Sequence, residues 1–67
     1  MINVSINGES RALAAGANLS RLLEELSLTG KRVAVEKNGD IVPRGRYAET
    51  ALAEGDRLEI VVAVGGG

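Results

Sequence analysis

The sequence predicts an α+β domain in which one sheet is covered on one face by a single helix. Three observations carry that prediction. Apolar and polar residues alternate with a period of two in separate stretches, leucines recur at helical spacing between two of them, and two Asn-Gly pairs fall where a strand must double back. A chain of 67 residues has material for one core only, so the domain is taken to run over residues 1–67 with a tail at 65–67.

Ile2, Val4 and Ile6 alternate with Asn3, Ser5 and Asn7, which predicts a half-buried strand over 2–6. Asn7-Gly8 tolerates the positive φ of a type I′ turn, and the return strand runs from Glu9 to about Ala14. Gly16 breaks the chain before Asn18, whose side chain suits the cap of a helix starting at Leu19. Leu19, Leu22, Leu23 and Leu26 form one apolar stripe, with Arg21, Glu24 and Glu25 on the solvent side. A helix of roughly three turns is marginal alone, so the stripe must pack on the sheet. The expected core sets these leucines against Ile2, Val4, Ile6, Val33, Val35, Leu58, Ile60 and Val62.

Leu28-Thr29-Gly30 closes the helix, and Val33 and Val35 open an alternating stretch that reaches Lys37. Asn38-Gly39 turns the chain into Ile41 and Val42, and Pro43 then withdraws a backbone donor and limits that strand. Between Arg44 and Ala53 the chain is mixed, with Tyr47 and Leu52 as anchors to the core. A turn at Glu54-Gly55-Asp56 leads to the closing strand, where Leu58, Ile60, Val62 and Val64 alternate with Arg57, Glu59, Val61 and Ala63.

Composition narrows the function. Eight Lys and Arg against nine Asp and Glu leave a formal net charge of -1, which gives no field to recruit nucleic acid or an anionic membrane. Cys and His are absent, so there is no thiolate, no sulfur ligand and no imidazole base, and a reducing cytoplasm is the expected compartment. The carboxylates lack metal-ligand spacing, and Glu24 and Glu25 read as a solvated face with Arg21 and Glu25 at i, i+4. Lys31, Arg32, Arg44 and Arg46 are the local basic emphases and read chiefly as solvated charge. Intrinsic catalysis has little support, because nothing positions a nucleophile, a base and an oxyanion donor together.

Two features of the closing strand remain. Val61 and Ala63 are apolar on the face that should be polar; they are either buried by a neighbouring loop or exposed to a partner. Gly65-Gly66-Gly67 is either a frayed end or a thin arm suited to a narrow cleft. Its position directly after a strong strand favours the arm.

The Asn38-Gly39 hairpin leading to Val42-Pro43-Arg44, Tyr47 after it, the run from Leu52 to Ile60 through Glu54-Gly55-Asp56, and the ending Val64-Gly65-Gly66-Gly67 resemble the sulfur carrier proteins of thiamin biosynthesis over essentially the whole chain. The resemblance implies a ubiquitin-like β-grasp fold with the first and last strands parallel at the centre of a mixed sheet. It implies no cofactor of its own and no catalytic residue. Instead, an ATP-dependent, E1-like adenylating enzyme activates the Gly67 carboxylate, a sulfur donor protein converts it to a thiocarboxylate, and thiazole synthase receives the sulfur. Gly65 and Gly66 are then the recognised tail, and Val61, Ala63, Val64 and Leu58 the docking surface. The small subunit of molybdopterin synthase resembles the same fold and tail chemistry, but such chains tend to be longer and aromatic- and Pro-rich before the glycines. An interaction module with an inert tail is the alternative from another class.

Overall fold

A computed structural model describes residues 1–63 of the chain. Its elements are β1 (Ile2–Ile6), β2 (Glu9–Leu13), α1 (Leu19–Glu25), β3 (Val33–Lys37), β4 (Asp40–Val42), a 3₁₀ helix (Arg44–Glu49) and β5 (Arg57–Val62). The strands form one mixed sheet in the order β2-β1-β5-β3-β4. β5 lies at its centre, parallel to β1 and antiparallel to β3.

Both Asn-Gly turns are formed by two residues of positive φ, at 52° and 88° for Asn7 and Gly8 and at 53° and 90° for Asn38 and Gly39. Their handedness matches the twist of the flanking strands, and each fixes a register: Ile6 opposite Glu9, and Lys37 opposite Asp40. Because side chains alternate along a strand, those registers decide which residues meet the helix.

The helix is capped as expected. Asn18 Oδ1 accepts from the Arg21 N–H at 2.8 Å, satisfying one of the amides that the first turn leaves free. It is shorter than expected, at 7 residues, because Ser27 takes a left-handed φ of 60° and stops it. Ser27 N–H then donates to the Glu24 carbonyl at 3.0 Å and Leu28 N–H to the Leu23 carbonyl at 2.8 Å. This is the Schellman closure, made here without glycine, and it folds Leu28 back onto the core.

Leu19, Leu22 and Leu23 pack against Val4, Leu13, Val35, Leu58 and Ile60, and Tyr47 and Leu52 close the side of the core. Leu26, Ile2, Ile6 and Val33 pack around its rim. Val62 departs from expectation at 36% exposed: it lines an open depression together with Leu26 and Leu28, which follow the end of the helix. The 3₁₀ helix had no periodic signal, yet it brings the Tyr47 hydroxyl to donate to the Val33 carbonyl at 3.4 Å.

Candidate functional site at the end of the central strand

β5 is held at its start by a turn fastened to both neighbours. Gly55 N–H donates to the Asn3 carbonyl at 2.8 Å, and Glu54 Oε1 accepts from the Asn3 N–H at 2.9 Å. On the other side, the Asn38 amide donates to Asp56 Oδ1 at 3.0 Å and accepts from the Arg57 N–H at 2.9 Å. Asp56 Oδ2 accepts from the Ala53 N–H at 2.9 Å, and Lys37 Nζ lies 3.9 Å away. Burial pushes the Asp56 carboxyl up, but the Ala53 N–H, the Asn38 amide and the Lys37 charge outweigh it and hold the pKa below the ordinary carboxylate value. Both oxygens of this carboxylate are thus used to fix the turn.

The strand's far end is the place where chain leaves the sheet. Ala63 N–H donates to the Arg32 carbonyl at 2.9 Å, just beyond the pairing of Val33 with Val62. On the face away from the helix, Val61 stands opposite Ala34 and Glu59 opposite Glu36, while Ile41 flanks Glu36 from β4. Val61 is 63% exposed and Ile41 76%, and Ala34 and Ala63 are exposed beside them. Of the two readings of Val61 and Ala63, the structure therefore gives exposure. Ile41 and Ala34 join them, which sequence reasoning missed because facing across strands depends on register.

Leu58 requires a correction. It was expected both in the core and on the docking surface, but it is 1% exposed and points toward the helix, so it has no surface to offer. Val64, Gly65, Gly66 and Gly67 lie outside the described residues. Among the described residues there is no cluster of carboxylates placed to hold a metal ion, and no helix is long and apolar enough to cross a membrane.

A mixed sheet whose parallel central pair joins β1 to β5, covered on one face by one helix, defines a ubiquitin-like β-grasp protein. The crystal structure of thiamine biosynthesis protein ThiS from Geobacter metallireducens matches it with a TM-score of 0.82 and 30% identity, covering 98% of this chain and 100% of that one. The ThiS family profile matches residues 4–67, and the chain belongs to that family of thiamin-biosynthesis sulfur carriers. Sulfur carrier protein ThiS of Bacillus subtilis is 46% identical over 46 residues, 69% of this chain and 70% of that protein. A thiazole synthase of Paramagnetospirillum magneticum is 48% identical over 62 residues, 92% of this chain but 19% of that protein. A second, from Magnetococcus marinus, is 39% identical over 98% of this chain and 20% of its own length, so the chain spans about a fifth of each synthase.

Proposed function

We propose that residues 1–67 form a single carrier domain whose working group is the Gly67 carboxylate, and that this group carries sulfur for thiazole formation in the cytoplasm. A carboxylate is a poor electrophile, because its charge is shared over two oxygens and it has no good leaving group. In the proposed sequence, a Gly67 carboxylate oxygen attacks the α-phosphorus of ATP on an E1-like adenylating enzyme, and pyrophosphate leaves. Sulfur at the oxidation level of sulfide, supplied by a donor protein, attacks the acyl carbon of the adenylate and AMP leaves. The resulting thiocarboxylate gives its sulfur to the acceptor on thiazole synthase; the acyl–sulfur bond breaks, and water adds to the acyl carbon to return the carboxylate. ATP and Mg²⁺ belong to the adenylating partner.

The observation that carries this reading is the match between this chain and about a fifth of two thiazole synthases. A carrier-like sequence and a synthase occur there in one polypeptide, as expected if the two meet during the reaction. The exposed face around Val61, Ala63, Ala34 and Ile41 supports docking, since it offers apolar area beside the point where chain leaves β5. Side-chain-free Gly65 and Gly66 suit a tail that enters a closing cleft, where a Cβ beside the reacting carbon would collide.

Pyrophosphate exchange with the purified adenylating enzyme tests the reading. The parent protein should support exchange, and protein amidated at Gly67 should not, because an amide has no carboxylate oxygen to attack the α-phosphate. Both should give the same circular dichroism. Exchange by the amidated protein at the parent rate would leave the inert-tail interaction module as the better account.

A further inference from the structure

We propose that Asn7 is a positioning residue for the carrier reaction: its side-chain amide acts as a surrogate peptide group that fixes β5 at Ile60 and thereby sets the point from which the residues beyond Ala63 depart. The proposal rests on the carrier reading above and adds a device that reading does not contain.

β1 turns back at Asn7-Gly8, so its backbone pairing with β5 covers only Ser5 with Arg57 and Ile6 with Leu58. The last backbone bond is from the Asn7 N–H to the Leu58 carbonyl at 2.9 Å. β5 nevertheless continues to Val62. On the β3 side it is paired as far as Val33 with Val62, and the Ala63 N–H is bonded beyond that. On the β1 side the next partner is not backbone. Asn7 Nδ2 donates to the Ile60 carbonyl at 3.0 Å, and Asn7 Oδ1 accepts from the Ile60 N–H at 2.8 Å.

Those two bonds are reciprocal, one donated and one accepted by a single planar amide, as an antiparallel partner residue would make them and as a parallel continuation of β1 would not. Turn chemistry alone does not demand them, because Gly or Asp also satisfies the first position of a type I′ turn. Asn38 makes a comparable contact from the other side at the start of β5. Side-chain amides thus hold the strand at Arg57 from one side and at Ile60 from the other.

Register matters here for two reasons. A slip of one residue moves the departing chain by about 3.3 Å, and it turns Val61 from the outer face to the inner one. Ala34 and Ile41 of the proposed docking face lie on β3 and β4, whereas β5 carries the chain toward Gly67, so the axial position of β5 sets the distance from those residues to the reacting carboxylate. Loss of the Asn7 amide should therefore impair turnover more than docking.

The test compares Asn7→Gly, which keeps the positive φ and removes both bonds, with Asn7→Asp, which keeps the acceptor for the Ile60 N–H and loses the donor. Amide exchange is measured by NMR on the free proteins, and adenylation is measured with the adenylating enzyme as separate kcat and KM. In Asn7→Gly the Ile60 amide should exchange roughly tenfold faster, as expected when a local opening is no longer opposed by a side-chain bond. The Asn38 backbone N–H, which donates to the Arg57 carbonyl at 2.7 Å, should be unchanged. The kcat should fall on the order of tenfold with KM within about twofold, since small displacements of a reacting group cost rate before they cost binding. Asn7→Asp should lie between, and it carries the kinetic test alone if Asn7→Gly fails to fold. A merely structural role would accelerate both amides together, and that result overturns the proposal. So does a parent-like kcat in a folded variant when the parent itself is adenylated. A parent that is not adenylated overturns the carrier reading instead, and this proposal falls with it.

Discussion

Toward α1 the sheet presents Val4, Val35, Leu58 and Ile60, all buried, whereas the opposite face leaves Ala34, Ile41, Val61 and Ala63 exposed around the paired carboxylates Glu36 and Glu59. The two sets alternate along the same strands, so Ile60 and Val61 are neighbours in sequence and face opposite ways. The inner face is built for cohesion: apolar groups are removed from water and packed against three leucines. The outer face is not optimised for the isolated domain, because it solvates large apolar groups and sets like charges directly opposite each other, which costs stability. Stability and recognition are thereby assigned to different sides of one strand.

Substitutions should separate the two sides, and the largest effect belongs to the core. Leu22→Ala removes a fully buried side chain under the sheet and leaves a cavity, a loss of about 2–5 kcal/mol. Chemical denaturation should show a large fall in midpoint, or no cooperative transition in a domain this small. An unchanged midpoint would mean that α1 does not supply the core as described.

An intermediate effect is expected where β5 begins. Asp56→Ala leaves the Ala53 N–H and the Asn38 amide without their acceptor, at a cost of about 1–3 kcal/mol. The pH dependence has a definite sign. The folded pKa of Asp56 lies below its unfolded value, so its contribution is complete above about pH 4 and is lost as pH falls through the folded value. Denaturation midpoints of parent and variant should therefore converge as the pH falls below about 4. A gap that stays constant or widens on acidification would contradict the assignment.

The smallest change in stability, and a large one in recognition, is expected for Val61→Glu. The site is exposed, so the midpoint should move by no more than about 0.5 kcal/mol. Binding to the adenylating enzyme should weaken because a charge must be desolvated at an apolar contact. Calorimetry that returns the parent affinity would remove this face from the docking surface and leave the comparison of faces as one of packing alone.

Much of this was legible in the sequence wherever the physics is local. Asn18 caps the helix, Asn7-Gly8 and Asn38-Gly39 make the turns they announce, and the leucine stripe faces the sheet. The limits appear where a residue's role depends on distant chain. Ser27 ends the helix in a conformation that glycine usually marks, so the stop was placed too late. Val62, in the open depression beside Leu26 and Leu28, was assigned too deep. The 3₁₀ helix has no repeating apolar pattern, although its anchor Tyr47 was recognised as such. The Asn7 and Asn38 amides read as turn chemistry, and their second use against β5 exists only once the sheet is assembled. For the docking set, alternation placed Val61 and Ala63 on the outer face, but it equally places Leu58 on the inner one.

The parallel pairing of β1 with β5 also has a kinetic consequence. Asn7 and Ile60 are separated by 53 positions in the chain. The hairpins β1–β2 and β3–β4 close short loops and should form within about 1–10 μs, whereas joining them requires the central strand and a far larger loss of chain entropy. During synthesis at about 5–20 residues per second, the nascent chain spends seconds with β1 and β3 made and the strand between them missing. Until β5 is made, the edges of β1 and β3 that it occupies in the finished sheet have no partner. The arrival of Ile60 and Val62 supplies one, so the strand that completes the sheet is the same one that hands the chain onward to Gly67.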